Sequence, residues 1–81
     1  DLALIKVQAN GGGTRAEVMQ IVETFRARVV DVALKTLVVE VTGTDEKIDG
    51  LVDVLRPYGI VEMVRTGRVA MARGDRITST A

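Results

Sequence analysis

A chain of 81 residues, 47% of them apolar, suffices for one domain, yet a domain of this size buries only roughly 60% of its unfolded-chain surface, so a stabilising partner is expected. Eleven basic residues balance eleven acidic ones, which withholds the positive field by which phosphate-binding proteins hold nucleic acid. Cys and His are both missing, which removes thiol nucleophiles, imidazole bases and the usual soft-metal sites, and no apolar run reaches the roughly 18 residues of a membrane span.

Leu2 to Ala9 reads as a strand of small and β-branched residues, and its abrupt start behind Asp1 suggests a piece cut from a longer protein. Asn10-Gly11-Gly12-Gly13 is too flexible to continue it. Thr14 is expected to open a helix, with Glu17 three residues on completing a capping box and Val18, Ile21, Val22 and Phe25 recurring along one buried stripe. Val29 to Ala33 and Leu37 to Thr42 are strands joined by the short turn Leu34-Lys35-Thr36, most simply a hairpin. After Gly43, Thr44 caps a second helix whose first turn carries Asp45 and Glu46, where negative charge meets the positive end of the helix dipole. Ile48, Leu51, Val52 and Leu55 repeat the stripe, and Pro57-Tyr58-Gly59 stops the helix before a last strand, Ile60 to Arg65.

The order is βαββαβ, with the capping threonines 14 and 44 thirty residues apart, so the two halves echo each other. Such a duplicated unit predicts an α+β ferredoxin-like (ACT-like) sandwich, a four-stranded antiparallel sheet with both helices on one face. The domain is expected to span residues 1–76. In residues 65–76 four arginines meet the single Asp75, Val69 to Ala72 can pair as a short extra strand, and 77–81 form a frayed tail. Arg73-Gly74-Asp75 matches an adhesion tripeptide by coincidence, since nothing else indicates an extracellular setting. No leader of signal type is visible, and the expected location is cytoplasmic.

Alternation places Ile5, Val7, Leu37, Val39 and Val41 toward the helices. It leaves Leu4, Lys6, Gln8, Val38, Glu40 and Thr42 uncovered, joined from the outer strands by Val29, Asp31, Ile60, Glu62 and Val64. This mixture of apolar area with a few charges reads as an interface, against the plainer reading of an amphipathic face partly in water. Lys6 can pair with Glu40 or with Glu62. Asp49 and Asp53, opposite the second stripe, read as an exposed and mildly repulsive pair. No carboxylate pair is placed for acid/base work, and no catalytic or metal-ligating residue and no cofactor site is proposed.

Glu62-Met63-Val64-Arg65-Thr66-Gly67-Arg68-Val69-Ala70-Met71-Ala72-Arg73-Gly74 and Glu23-Thr24-Phe25-Arg26-Ala27-Arg28-Val29-Val30-Asp31-Val32 together resemble the carboxy-terminal domain of the regulatory small subunit of acetohydroxyacid (acetolactate) synthase, nearly from end to end. The resemblance implies a regulatory domain with no reaction of its own. It would bind and help activate a thiamine-diphosphate-dependent catalytic subunit in branched-chain amino-acid biosynthesis and would self-associate. The thiamine diphosphate, metal and flavin would belong to the catalytic chain, and an amino-terminal ACT domain that senses valine or another branched-chain amino acid would be absent from this piece. Arg26, Arg65, Thr66, Gly67 and Arg73 are the expected partner contacts, with Phe25 packing in the core.

The loop before the first helix can offer free N–H groups to an anion, but it lacks the Lys-Ser/Thr ending of a P-loop and the GxGxxG spacing of a dinucleotide site, so a plain connection stands beside the ligand reading. ACT-type folds bind ligands beside the corresponding loop, which keeps Asn10 and Gly11 as candidates. An alternative function is an ACT-type amino-acid-binding homodimer. RNA binding on the same topology would need aromatic side chains on the central strands, where there are none.

Overall fold

Leu2–Gln8 forms the first strand, β1, in which burial alternates residue by residue, with Ala3, Ile5 and Val7 wholly buried on one side and the intervening residues on the other. Residues 1–66 are described in this computed structural model. After β1 come α1 (Gly12–Thr24), β2 (Arg28–Val32), β3 (Thr36–Thr42), α2 (Asp45–Leu55), a 3-10 turn (Arg56–Tyr58) and β4 (Ile60–Arg65). The expected extra strand, the arginine-rich stretch beyond residue 66 and the frayed tail lie outside the described residues.

All strand pairs are antiparallel, in the order β2-β3-β1-β4. Both helices cover the same side. Ile5, Val7, Leu37, Val39 and Val41 meet Val18 and Val22 from α1 and Ile48, Leu51, Val52 and Leu55 from α2, and among the described residues the buried set contains no polar side chain. This is the ferredoxin-like sandwich expected from the element order. Phe25 completes the α1 stripe, and its ring lies within ordinary contact distance, 3.5 Å, of where a Cβ at Gly50 of α2 would stand.

Local details depart from expectation where backbone geometry overrides side-chain pattern. α1 begins at Gly12, not Thr14, behind Gly11 at φ 81°, and no side chain caps it. The Thr14–Glu17 capping box does not form, because Thr14 already lies inside the helix and Glu17 accepts the Tyr58 hydroxyl at 2.8 Å instead. The second cap is as expected: the Lys47 N–H donates to Thr44 Oγ1 at 3.1 Å. α1 ends in a Schellman arrangement, the Arg26 N–H donating to Glu23 O and the Ala27 N–H to Val22 O, which puts Arg26 at φ 56° where glycine is usual.

Two edge residues face the other way from expectation. A register shift between Val29 and Asp31 sets Val29 opposite Val39, and another between Lys6 and Val7 sets Ile60 opposite Val7. Both side chains therefore pack on the helix-covered core. One extra residue per strand inverts the alternation beyond it, and composition carries no mark of that insertion.

Candidate functional site

The bare side of the sheet is built in two rows. Register places Arg28, Glu40, Leu4 and Val64 side by side across all four strands, and Asp31, Val38, Lys6 and Glu62 in the next row. Leu4, Val38 and Val64 with Lys6 and Glu62 line a shallow depression of about 200 Å³. Leu4 is 36% and Val64 40% exposed, so the middle of this face offers aliphatic surface to whatever approaches it.

Four of the charges around that surface are paired. Arg28 Nε lies 2.7 Å from Glu40 Oε1, and Lys6 Nζ 3.6 Å from Glu62 Oε1. Of the two partners expected for Lys6, Glu62 is the one it meets, while Glu40 is taken by Arg28. Exposed pairs of this kind contribute only about 0–1 kcal/mol each, so they mark polarity around the apolar centre more than they hold the fold. Arg28 was not foreseen on this face, because only the register shift after Val29 brings it opposite Glu40.

The other candidate residues fall elsewhere. Asn10 and Gly11 are exposed in the connection from β1 to α1, and the Gly11 carbonyl accepts from the Arg15 N–H at 3.1 Å. Arg26 is exposed just ahead of edge strand β2. Arg65 ends the opposite edge strand, on the helix-covered side opposite Ala3, where its Nη1 lies 2.7 Å from Asp49 Oδ1 and its Nη2 3.6 Å from Asp45 Oδ1. That guanidinium ties β4 to α2. Thr66 closes the same end: its N–H donates to Leu2 O at 2.8 Å, and its Oγ1 accepts from the Leu2 N–H at 3.0 Å. Gly67 and Arg73 lie outside the described residues. Arg65 and Thr66 are thus brought together, at the end of β1 away from Asn10 and Gly11.

Asp49 and Asp53 are not the bare repulsive pair expected. Asp49 faces Arg65, and Asp53 lies 3.7 Å from Arg56 Nε one turn along. Tyr58 has its phenol pKa raised above 10.0, first by the hydrogen bond it gives to Glu17 and then by desolvation and the nearby carboxylate charge. Among the described residues no three His, Cys, Asp or Glu side chains gather as a metal site, and no helix is long and apolar enough to cross a membrane. Among the described residues the geometry offers a contact surface flanked by ion pairs and brings no catalytic group of acids, bases or nucleophiles together.

Comparison with known proteins agrees with that architecture. A family model described as the small subunit of acetolactate synthase matches residues 1–74. The acetolactate synthase small subunit of Bacillus subtilis is 53% identical over 76 residues, covering 94% of this chain and 44% of that one. The Aquifex aeolicus protein of the same name is 51% identical over 73 residues, covering 90% of this chain and 38% of its own length. A crystal structure of the small subunit from Thermotoga maritima superposes with a TM-score of 0.73 at 33% identity, covering 82% of this chain and 40% of that one. The chain spans less than half the length of these relatives. With its sandwich fold and its match over residues 1–74, the chain belongs to the acetolactate synthase small-subunit family.

Proposed function

We propose that this domain is a regulatory module that docks on the catalytic subunit of acetolactate synthase and helps to activate it in branched-chain amino-acid biosynthesis. The observation that carries the reading is the uncovered sheet face, where Leu4, Val38 and Val64 form an aliphatic floor between the Arg28–Glu40 and Lys6–Glu62 pairs. A centre of this kind inside a polar border has the composition of a protein interface core and rim. Family membership supports the choice of partner. The domain itself performs no reaction, and the thiamine diphosphate, metal and flavin chemistry belongs to the catalytic chain.

In this reading the remaining length of the subunit carries an ACT domain that senses a branched-chain amino acid, and the whole subunit self-associates in the cytoplasm. Arg26, Arg65, Thr66, Gly67 and Arg73 are the proposed flanking contacts. Arg26 is the best supported of them by geometry, since an exposed arginine holds a left-handed backbone position that glycine would occupy with less strain.

The test mixes the purified full-length subunit with the catalytic chain and follows co-elution and acetolactate production. Wild type should bind and raise the rate, and Leu4→Glu should lose both while keeping its melting temperature. Failure of wild type to bind or to change the rate overturns the reading, as does a Leu4→Glu protein that behaves like wild type.

A further inference from the structure

The apolar strip on edge strand β2 and the turn after it takes no part in the face described above. Val30, Val32 and Leu34 are 45%, 65% and 88% exposed, so three of the exposed large aliphatic side chains fall within five consecutive residues. Leu34 is held out by a fastened turn. Arg15 of α1 donates through Nη2 to the carbonyls of both Ala33 and Leu34 at 2.9 Å, the Ala33 N–H donates to Thr36 O at 2.9 Å, and the Ala9 N–H donates to Lys35 O at 2.8 Å. Four hydrogen bonds on four residues hold the side chain outward without support from apolar packing. Scattered exposed aliphatics are ordinary, but a clustered set on a fastened turn binds without the usual entropy loss of ordering a loop.

The charge around this strip selects the partner. Arg15 and Lys35 flank its tip, and neither makes an ion pair among the described residues, while Asp31, between Val30 and Val32, stands opposite Val38 on the bare sheet face. Two copies meeting tip to tip would oppose these cations, so a second copy of this chain is the wrong occupant. Three aliphatic side chains on a strand and turn, with no aromatic ring and no amphipathic helix, are also a poor membrane anchor.

We propose that the β2–β3 turn is a preformed plug, with Leu34 at its tip and Val32 behind it, that seats in an apolar socket rimmed by carboxylates on the catalytic chain. This rests on the docking reading above and adds a second point of grip at the β2 edge. Arg15 is a positioning residue, acting through the two carbonyls it holds.

The experiment titrates the catalytic chain with full-length subunit carrying Leu34→Ser, Lys35→Glu, Arg15→Met or Leu4→Glu, with association and dissociation followed separately. Leu34→Ser should weaken binding at least about tenfold, mainly through faster dissociation, with an unchanged melting temperature. Lys35→Glu should slow association several-fold at low ionic strength, a deficit that vanishes near 0.5 M salt. Arg15→Met should weaken binding and also speed amide exchange at residues 33–36. If Leu34→Ser and Lys35→Glu both bind within twofold of wild type while Leu4→Glu does not bind, the plug is overturned and the docking reading stands. If wild type itself fails to bind, both fall. Loss of self-association or of binding to anionic phosphatidylserine vesicles in Leu34→Ser, with catalytic-chain binding intact, also overturns the plug.

Discussion

The two helices present the same stripe spacing to the same sheet and differ in how deeply that stripe is buried and in how their ends are closed. α2 is capped by Thr44, carries Asp45 and Glu46 in its first turn and buries all four residues of its stripe. α1 starts behind a left-handed glycine with no side-chain cap and no acid in its first turn, ends on a left-handed arginine, and fully buries only Val18 and Val22. An apolar stripe decides which face a helix buries. Its termini are decided by whichever groups answer the free N–H and C=O groups, a side chain at the start of α2 and the Arg26 and Ala27 N–H groups at the end of α1. The looser helix is the one whose Arg15 fastens the β2–β3 turn.

The largest effect that can test this contrast lies in the stripes. Leu51→Ala should destabilise the domain by about 2–5 kcal/mol and Val22→Ala by about 1.5–2.5 kcal/mol in urea unfolding, since both leave cavities but the second removes less from a shallower site. Equal losses would mean that the two helices are held alike. Next come the caps. Thr44→Ala should cost about 1 kcal/mol, whereas Thr14→Ala should stay within about 0.5 kcal/mol, because only the first removes a hydroxyl that accepts from the helix. A comparable loss at Thr14 would restore the capping box.

At the other end of α1, Arg26→Gly should raise stability by about 0.5–1 kcal/mol through relief of the left-handed backbone, less the entropy glycine adds to the unfolded chain. The same protein should bind the catalytic chain more weakly if Arg26 is a contact. The smallest effect concerns the link between the halves. Because the folded state raises the Tyr58 pKa above 10.0, its contribution is complete below pH 10 and is lost as pH rises through the folded value, so stability should decline on the alkaline side. Tyr58→Phe should flatten that decline, measured by thermal unfolding from pH 8 to 11.

Much of the architecture was legible in the residues. Periodicity located both helices, all four strands and the buried side of the central strands, because the period of 2 in β1 and β3 and the 3.6-residue stripe of α2 run unbroken through their elements. Most of the candidate face was legible: Leu4, Lys6, Asp31, Val38, Glu40, Glu62 and Val64 followed from alternation, while Val29 and Ile60 were misplaced and Arg28 was missed. Each error sits beside a register shift. The role of Arg65 was equally hidden, since Asp45 and Asp49 approach it across the packed interface between α2 and β4.

Chain order and apolar periodicity by themselves determined the βαββαβ sandwich, the aliphatic core and the existence of a half-covered sheet, because burying apolar area is a sum over local pattern that each element states for itself. Only the tertiary structure decided which charges pair, where α1 begins, and how the β2–β3 turn is fastened with Leu34 outward. Those outcomes depend on single extra residues in edge strands and on groups far apart in the chain meeting at hydrogen-bonding distance, and no local pattern encodes such meetings.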